Sequence, residues 1–118
     1  MQKQTFLNAV TNALNGIFFF FKKERNAKIQ LCIALFVLLM SYYFKLDKSE
    51  WIIVCLCIAM VIGLEMINSA IEKLCNAIHP EIHPLIKQTK DIAAGAVLWM
   101  CIISGVIGAI IFLPKIFN

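Results

Sequence analysis

The sequence predicts an all-α membrane protein, in which an N-terminal amphipathic surface helix precedes three transmembrane helices. Of its 118 residues, 61% are hydrophobic and 15% are charged, whereas soluble domains average about 45–50% apolar and 25% charged residues. The chain also contains three long apolar runs separated by short polar segments, as expected of helices that cross a bilayer. A chain of this length has room for one domain, which we place at residues 1–118.

The first segment, about residues 4–23, has the pattern of a helix that lies in the membrane interface. Its apolar residues fall near helical spacing, and threonines and asparagines supply a polar side. A charged hinge is expected at residues 22–28, where Glu24 stands among basic residues. From these residues alone, an ion pair with its basic neighbours is the simplest interpretation of Glu24.

Three membrane spans follow. They are expected at about residues 29–44, 51–71 and 92–113. The helix of the second span extends to about Ile78. Residues 79–89 contain Pro80 and Pro84 and have the composition of a loop, and Pro114 is expected to end the third span.

The distribution of basic residues predicts the orientation in the membrane. Eight lysines and arginines lie in residues 3–28 and 73–90, against three in the 45–50 turn and the C-terminal tail. Because segments rich in lysine and arginine stay in the cytoplasm, we expect the N-terminus and residues 73–90 on the cytoplasmic side. The side chains of most acidic residues then gather on that side, in a groove shared between subunits.

The main polar feature is a stripe on the middle span. After fourteen uncharged residues from Trp51 come Glu65, Asn68 and Glu72. At about 100° per residue, Asn68 lies roughly −60° and Glu72 roughly −20° from Glu65, so the three share one helix face. A carboxylate at membrane depth costs about 2.5–3.5 kcal/mol, which suggests a function. The alternative at this point is a solvated helix end.

Carboxylates and lysines at the cytoplasmic end of a membrane helix suit a magnesium–polyphosphate complex. Mg²⁺ takes one or two carboxylates and completes its shell with phosphate and water, and lysine neutralises phosphate as a compact charge. Glu65 lies about 10 Å deeper along the helix than Glu72. The desolvated Glu65 is therefore the better general base toward a hydroxyl anchored in lipid, and Glu72 is better placed for a cytosolic ion. The pattern favours phosphoryl transfer to a lipid alcohol.

Two motifs, with their spacing, resemble those of the prokaryotic diacylglycerol kinase family, which includes the undecaprenol kinases. They are Glu65-Met-Ile-Asn68-Ser-Ala-Ile-Glu72 and Lys90-Asp91-Ile-Ala-Ala-Gly-Ala-Val, and upstream Asn15-Gly16-Ile17 and Glu24-Arg25-Asn26 also match. The resemblance covers essentially the whole chain. It implies a homotrimer of three-span subunits in the bacterial cytoplasmic membrane, with composite active sites, Mg²⁺ as cofactor and ATP as phosphoryl donor.

The resemblance also implies roles for individual residues. Glu65 resembles the catalytic base, which meets the lipid substrate, and Asn68 would orient the neighbouring carboxylates. Glu24 and Glu72 resemble the metal-binding acids, which replaces the ion-pair interpretation of Glu24. The positions that resemble nucleotide contacts are Asn12, Glu24, Glu72, Glu81, His83, Lys90 and Asp91. Asn76 is a departure, since the family commonly has an aspartate there.

Two questions stay open in the sequence. The lipid is either undecaprenol or diacylglycerol, and the segment from His83 to Val97 resembles the undecaprenol branch somewhat more. The alternative from another functional class is a non-enzymatic membrane assembly, either a small cation channel or a scaffold. Lys90 argues against a channel, because a cation path has no use for a lysine beside its acids. No feature indicates a nucleic-acid partner.

Overall fold

The computed structural model describes residues 5–78 and 83–118. In these residues the chain forms four α-helices. They are α1 (Phe6–Lys23), α2 (Arg25–Tyr43), α3 (Lys48–Ile78) and α4 (Pro84–Ile116). Helices α2, α3 and α4 are each long and apolar enough to cross a membrane. The predicted all-α class and the three apolar helices are thereby confirmed.

Helices α1 and α2 meet at a single residue. Thr5 caps the start of α1, where its side-chain oxygen accepts a hydrogen bond from the backbone N–H of Asn8 at 3.2 Å. At the other end, Glu24 has an extended backbone, yet its N–H bonds to the carbonyl of Phe20 and its own carbonyl accepts from the N–H of Lys28. The predicted hinge at residues 22–28 is therefore longer than the observed one. Glu24 is the C-cap of α1 and the N-cap of α2, so it is the one residue between them without helical backbone geometry.

The end of α2 is closed by a left-handed residue. Lys45 has a φ of 53°, its N–H bonds to the carbonyl of Tyr42 at 3.2 Å, and the N–H of Leu46 bonds to the carbonyl of Ser41 at 3.2 Å. This pair of bonds is the Schellman pattern, which satisfies the last carbonyls of a helix. It reverses the chain within a few residues.

Helix α3 begins with a reciprocal cap. The Asp47 carboxylate accepts from the N–H of Glu50 at 2.9 Å, and the Glu50 carboxylate accepts from the N–H of Asp47 at 3.1 Å. This arrangement is a capping box, which satisfies two donors that a helix start leaves open. The predicted polar turn at residues 45–50 thus contains the end of one helix and the start of the next.

Helix α4 begins six residues before the predicted opening at Lys90. Pro84 occupies the first turn, where a missing N–H costs nothing, and His83 Nδ1 accepts from the N–H of Leu85 at 3.1 Å. The predicted loop was therefore wrong for residues 84–89. Pro114 also does not end the helix, which continues to Ile116. A proline in the last turn removes one hydrogen bond and leaves little helix to break.

The bundle is closed at the end where residues 44–47 connect α2 to α3, which we call the turn end. Leu46, Val54 and Ile111 form a buried apolar cluster there, with aromatic and aliphatic side chains of all three long helices around it. Lys115 Nζ lies 3.2 Å from a Glu50 carboxylate oxygen and joins the end of α4 to the start of α3. The opposite end of α3 carries the polar stripe.

We predict that Asp47→Ala lowers the free energy of unfolding by about 0.5–2 kcal/mol, because it removes the cap of α3. Thermal unfolding in detergent micelles, followed by circular dichroism, measures the change. Ser49→Ala is the matched control, since Ser49 is an exposed neighbour in the same turn. Equal melting temperatures for the two variants would contradict the capping assignment.

Candidate active site

The polar stripe lies on one uninterrupted helix and passes from buried to exposed. Glu65 and Asn68 keep only 5% and 7% of their surface exposed, whereas Glu72, one to two turns further along α3, is exposed. Asn76 follows on the same face and is exposed as well. The site therefore has a deep end among apolar helices and a shallow end open to solvent.

Glu65 has a polar partner in the first turn of α2. Asn26 Nδ2 donates to Glu65 Oε1 at 3.5 Å, which is a long and therefore weak hydrogen bond. Asn68 Oδ1 is buried and has no hydrogen-bond partner in residues 5–78 and 83–118. Buried polar atoms usually find partners, so this oxygen is open to a donor or a cation that binds beside Glu65.

Glu24 is held against α3 by a lysine that the sequence did not single out. Lys73 Nζ donates to Glu24 Oε1 and lies 5.8 Å from the centre of the Phe19 ring, which adds a cation–π contact. The ion pair first considered for Glu24 therefore exists, but its partner comes from another helix. Lys73 directly follows Glu72 in the sequence. The ion pair between Lys73 and Glu24 therefore places the α1–α2 corner next to the stripe.

A groove of about 250 Å³ lies between α1 and α3 at this corner. Its polar end is formed by Glu24 and Lys73, and Ser69 of the buried stripe face also lines it. The rest of the lining is apolar or small: Ala13, Gly16, Ile17, Phe19, Phe20, Met66 and Ala70. The groove thus joins a charged end to an apolar wall.

The start of α4 reaches the shallow end of the stripe. Lys90 Nζ donates to Asn76 Oδ1 at 2.6 Å, while the adjacent Asp91 accepts from Lys87 at 2.7 Å within α4. These two neighbours in sequence therefore have different partners. Neither contact was predicted, although the position of Asn76 eleven residues after Glu65 was a usable signal.

Two further predicted nucleotide contacts, Asn12 and His83, lie in the described part of the chain, and a third does not. Asn12 is exposed on α1 and does not line the groove between α1 and α3. His83 caps α4 through its Nδ1. Glu81 lies outside the described residues, so its predicted contact is not addressed.

The donor set fits a magnesium ion that is shared with phosphate. Residues 5–78 and 83–118 contain no group of three or more His, Cys, Asp or Glu side chains that could hold a metal ion. Mg²⁺ does not need such a group, because it takes one or two carboxylates and keeps phosphate and water oxygens. Glu24 and Glu72 would supply the carboxylates, and the open oxygen of Asn68 is of the same ligand type.

An apolar cavity of about 400 Å³ begins one turn deeper than Glu65, between α2, α3 and α4. Val61 and Ile62 lie at its near end, and Val54 at its far end. Gln30 and Ser104 are its polar lining residues, and each has a buried side-chain oxygen without a partner in the described part of the chain. The lining of this cavity has the composition that a hydrocarbon chain would require, one helical turn from the buried carboxylate.

Comparison with known proteins gives a consistent result. The family model described as "Prokaryotic diacylglycerol kinase" matches residues 11–112. The chain is 39% identical to a protein named undecaprenol kinase from Bacillus subtilis (strain 168) over 111 residues, which cover 94% of this chain and 90% of the relative. It is 28% identical to a diacylglycerol kinase from Haemophilus influenzae over 107 residues, covering 90% and 91%. A diacylglycerol kinase from Helicobacter pylori (strain J99) is 38% identical over 76 residues, covering 64% and 59%.

Proposed function

Because the chain belongs to the prokaryotic diacylglycerol kinase family and is a membrane lipid kinase, we propose that it transfers the γ-phosphoryl group of ATP to the hydroxyl of a membrane lipid alcohol. The reaction takes place at the cytoplasmic face of the bacterial inner membrane. One observation carries the assignment of the site: the stripe on α3 joins a buried carboxylate, Glu65, to solvent-exposed groups at its other end. The channel or scaffold alternative has no support in the comparisons.

In this proposal Glu65 is the general base. Its carboxylate accepts the proton of the lipid hydroxyl, the hydroxyl oxygen bonds to the γ-phosphorus, and the bond from that phosphorus to the bridging oxygen of ADP breaks. Asn26 donates to the Glu65 carboxylate and orients it. The open amide oxygen of Asn68 supports a role for this residue beside the reacting hydroxyl.

Glu24 and Glu72 would hold Mg²⁺ together with the phosphates of ATP. When bound, the ion neutralises negative charge on the nucleotide. Lys90 supplies a further positive charge at the shallow end of the stripe. Asp91, His83, Glu81 and Asn12 complete the proposed nucleotide contacts. In a homotrimer some of these residues would come from a neighbouring subunit.

Undecaprenol is the acceptor we favour over diacylglycerol. The Bacillus subtilis relative named undecaprenol kinase is 39% identical over 94% of this chain. The apolar cavity next to Glu65 would take the hydrocarbon chain of such a lipid while the hydroxyl stays at the carboxylate. Purified protein in detergent should transfer phosphate from labelled ATP and Mg²⁺ to undecaprenol faster than to diacylglycerol. If neither lipid gains label, the proposed reaction is excluded.

We predict that Glu65→Gln lowers the turnover number by about 10²–10⁴-fold, the usual contribution of general acid–base catalysis. The affinity for MgATP, measured by isothermal titration calorimetry, should stay near that of the wild type, because the nucleotide groups lie at the shallow end of the stripe. Glu50→Gln makes the same change at the turn end of α3 and should keep its turnover. Retained turnover in Glu65→Gln would remove Glu65 from the role of base.

We predict that Glu72→Gln shifts the Mg²⁺ titration of activity to higher concentration by about tenfold, which corresponds to a loss of about 1.4 kcal/mol in binding. The amide keeps the size of the side chain and loses the charge that the cation needs. The measurement is the initial rate at fixed ATP over a range of Mg²⁺ concentrations. An unchanged midpoint would count against Glu72 as a ligand.

A further inference from the structure

We infer that Asn76 is a positioning residue for Lys90, and that its side-chain oxygen fixes the ammonium group at the shallow end of the stripe for nucleotide binding. The inference rests on the proposed function, since it assumes that Lys90 neutralises phosphate. It adds a residue to the site to which neither the sequence motifs nor the family comparison gives a role.

The contact joins two helices at their polar ends. Lys90 Nζ donates to Asn76 Oδ1 at 2.6 Å, and Asn76 lies in the last turn of α3, which ends at Ile78. Lys90 lies in the second turn of α4, which begins at Pro84. A short hydrogen bond between a charged donor and a neutral acceptor is stronger than one between neutral groups.

The helical register puts Asn76 in line with the stripe. At about 100° per residue, Asn76 lies roughly +20° from Glu65 around α3. It is one turn beyond Glu72, a rise of about 6 Å. The ammonium bound to Asn76 is therefore held beside the face that carries both proposed catalytic and metal-binding acids.

The charge of Lys90 remains available in this arrangement. An ammonium group has three N–H donors, and the amide of Asn76 uses one without adding a negative charge. The neighbouring carboxylate of Asp91 is bound to Lys87 instead. A lysine side chain loses rotamer entropy when it is fixed. Because Asn76 fixes the Lys90 side chain before the nucleotide binds, less side-chain entropy is lost on binding.

Asn76→Leu tests this inference, because leucine has a similar size and cannot accept the hydrogen bond. We expect the KM for MgATP to rise about threefold to tenfold, the range for the net contribution of one typical hydrogen bond. The turnover number should change less than the KM. Titration calorimetry with a non-hydrolysable ATP analogue, without lipid, should show the same weakening. Gln88→Leu is the matched control, since Gln88 is an exposed amide on α4.

A double-mutant cycle with Lys90→Met separates positioning from a general structural role. If Asn76 acts through Lys90, adding Asn76→Leu to Lys90→Met should weaken analogue binding no further. Asn76→Gln keeps a neutral amide oxygen as acceptor and should bind the analogue within about threefold of the wild type. Additive losses in the cycle, or an Asn76→Gln variant as weak as Asn76→Leu, would overturn the inference.

Because analogue binding is measured without lipid, these results are distinct from a failure of the kinase assay. One outcome is that the cycle shows the predicted coupling between Asn76 and Lys90 while the wild-type protein phosphorylates neither lipid. That result would disprove the proposed reaction and leave the Asn76–Lys90 contact supported. Wild-type protein that phosphorylates lipid but shows no coupling would disprove the positioning role alone.

Discussion

The structure depends on how the bundle accommodates one buried carboxylate on an apolar helix. Glu65 is 5% exposed on a helix that is apolar enough to cross a membrane. An acid at membrane depth costs about 2.5–3.5 kcal/mol, so it needs polar neighbours. Asn26 from the start of α2 and Asn68 from the next turn of α3 supply them. The short corner at Glu24 is what brings Asn26 within reach of α3.

The two ends of the bundle differ in the contacts that join their helices. At the turn end, the Schellman bonds, the capping box, the Glu50–Lys115 ion pair and the apolar cluster around Val54 hold the long helices together. At the stripe end, three polar contacts join the helices: Lys73 with Glu24, Asn26 with Glu65, and Lys90 with Asn76. Glu72 and Asn76 are exposed at the stripe end, where they are accessible to a ligand.

Features that depend on one helix alone could be predicted from the sequence. The register of Glu65, Asn68 and Glu72, the three apolar helices and the extension of α3 to Ile78 follow from periodicity, and the structure agrees. The loop at residues 84–89 was wrong because a proline composition typical of loops also suits the first turn of a helix. The partners of Glu24 and Lys90 could not be predicted, because contacts between helices depend on how α1, α2 and α4 pack on α3. The catalytic, metal and nucleotide roles remain predictions.

In the proposed function, acids of the α1–α2 corner and of α3 bind one magnesium–nucleotide complex beside Glu65. Crystals grown with Mn²⁺ and a non-hydrolysable ATP analogue test it most directly, since Mn²⁺ is located by its anomalous scattering. We expect a peak within about 2 Å of a carboxylate oxygen of Glu24 or Glu72, the distance of such metal–oxygen bonds, with the nucleotide phosphates on the same ion. A metal–nucleotide complex bound elsewhere, with neither carboxylate as a ligand, would contradict the account.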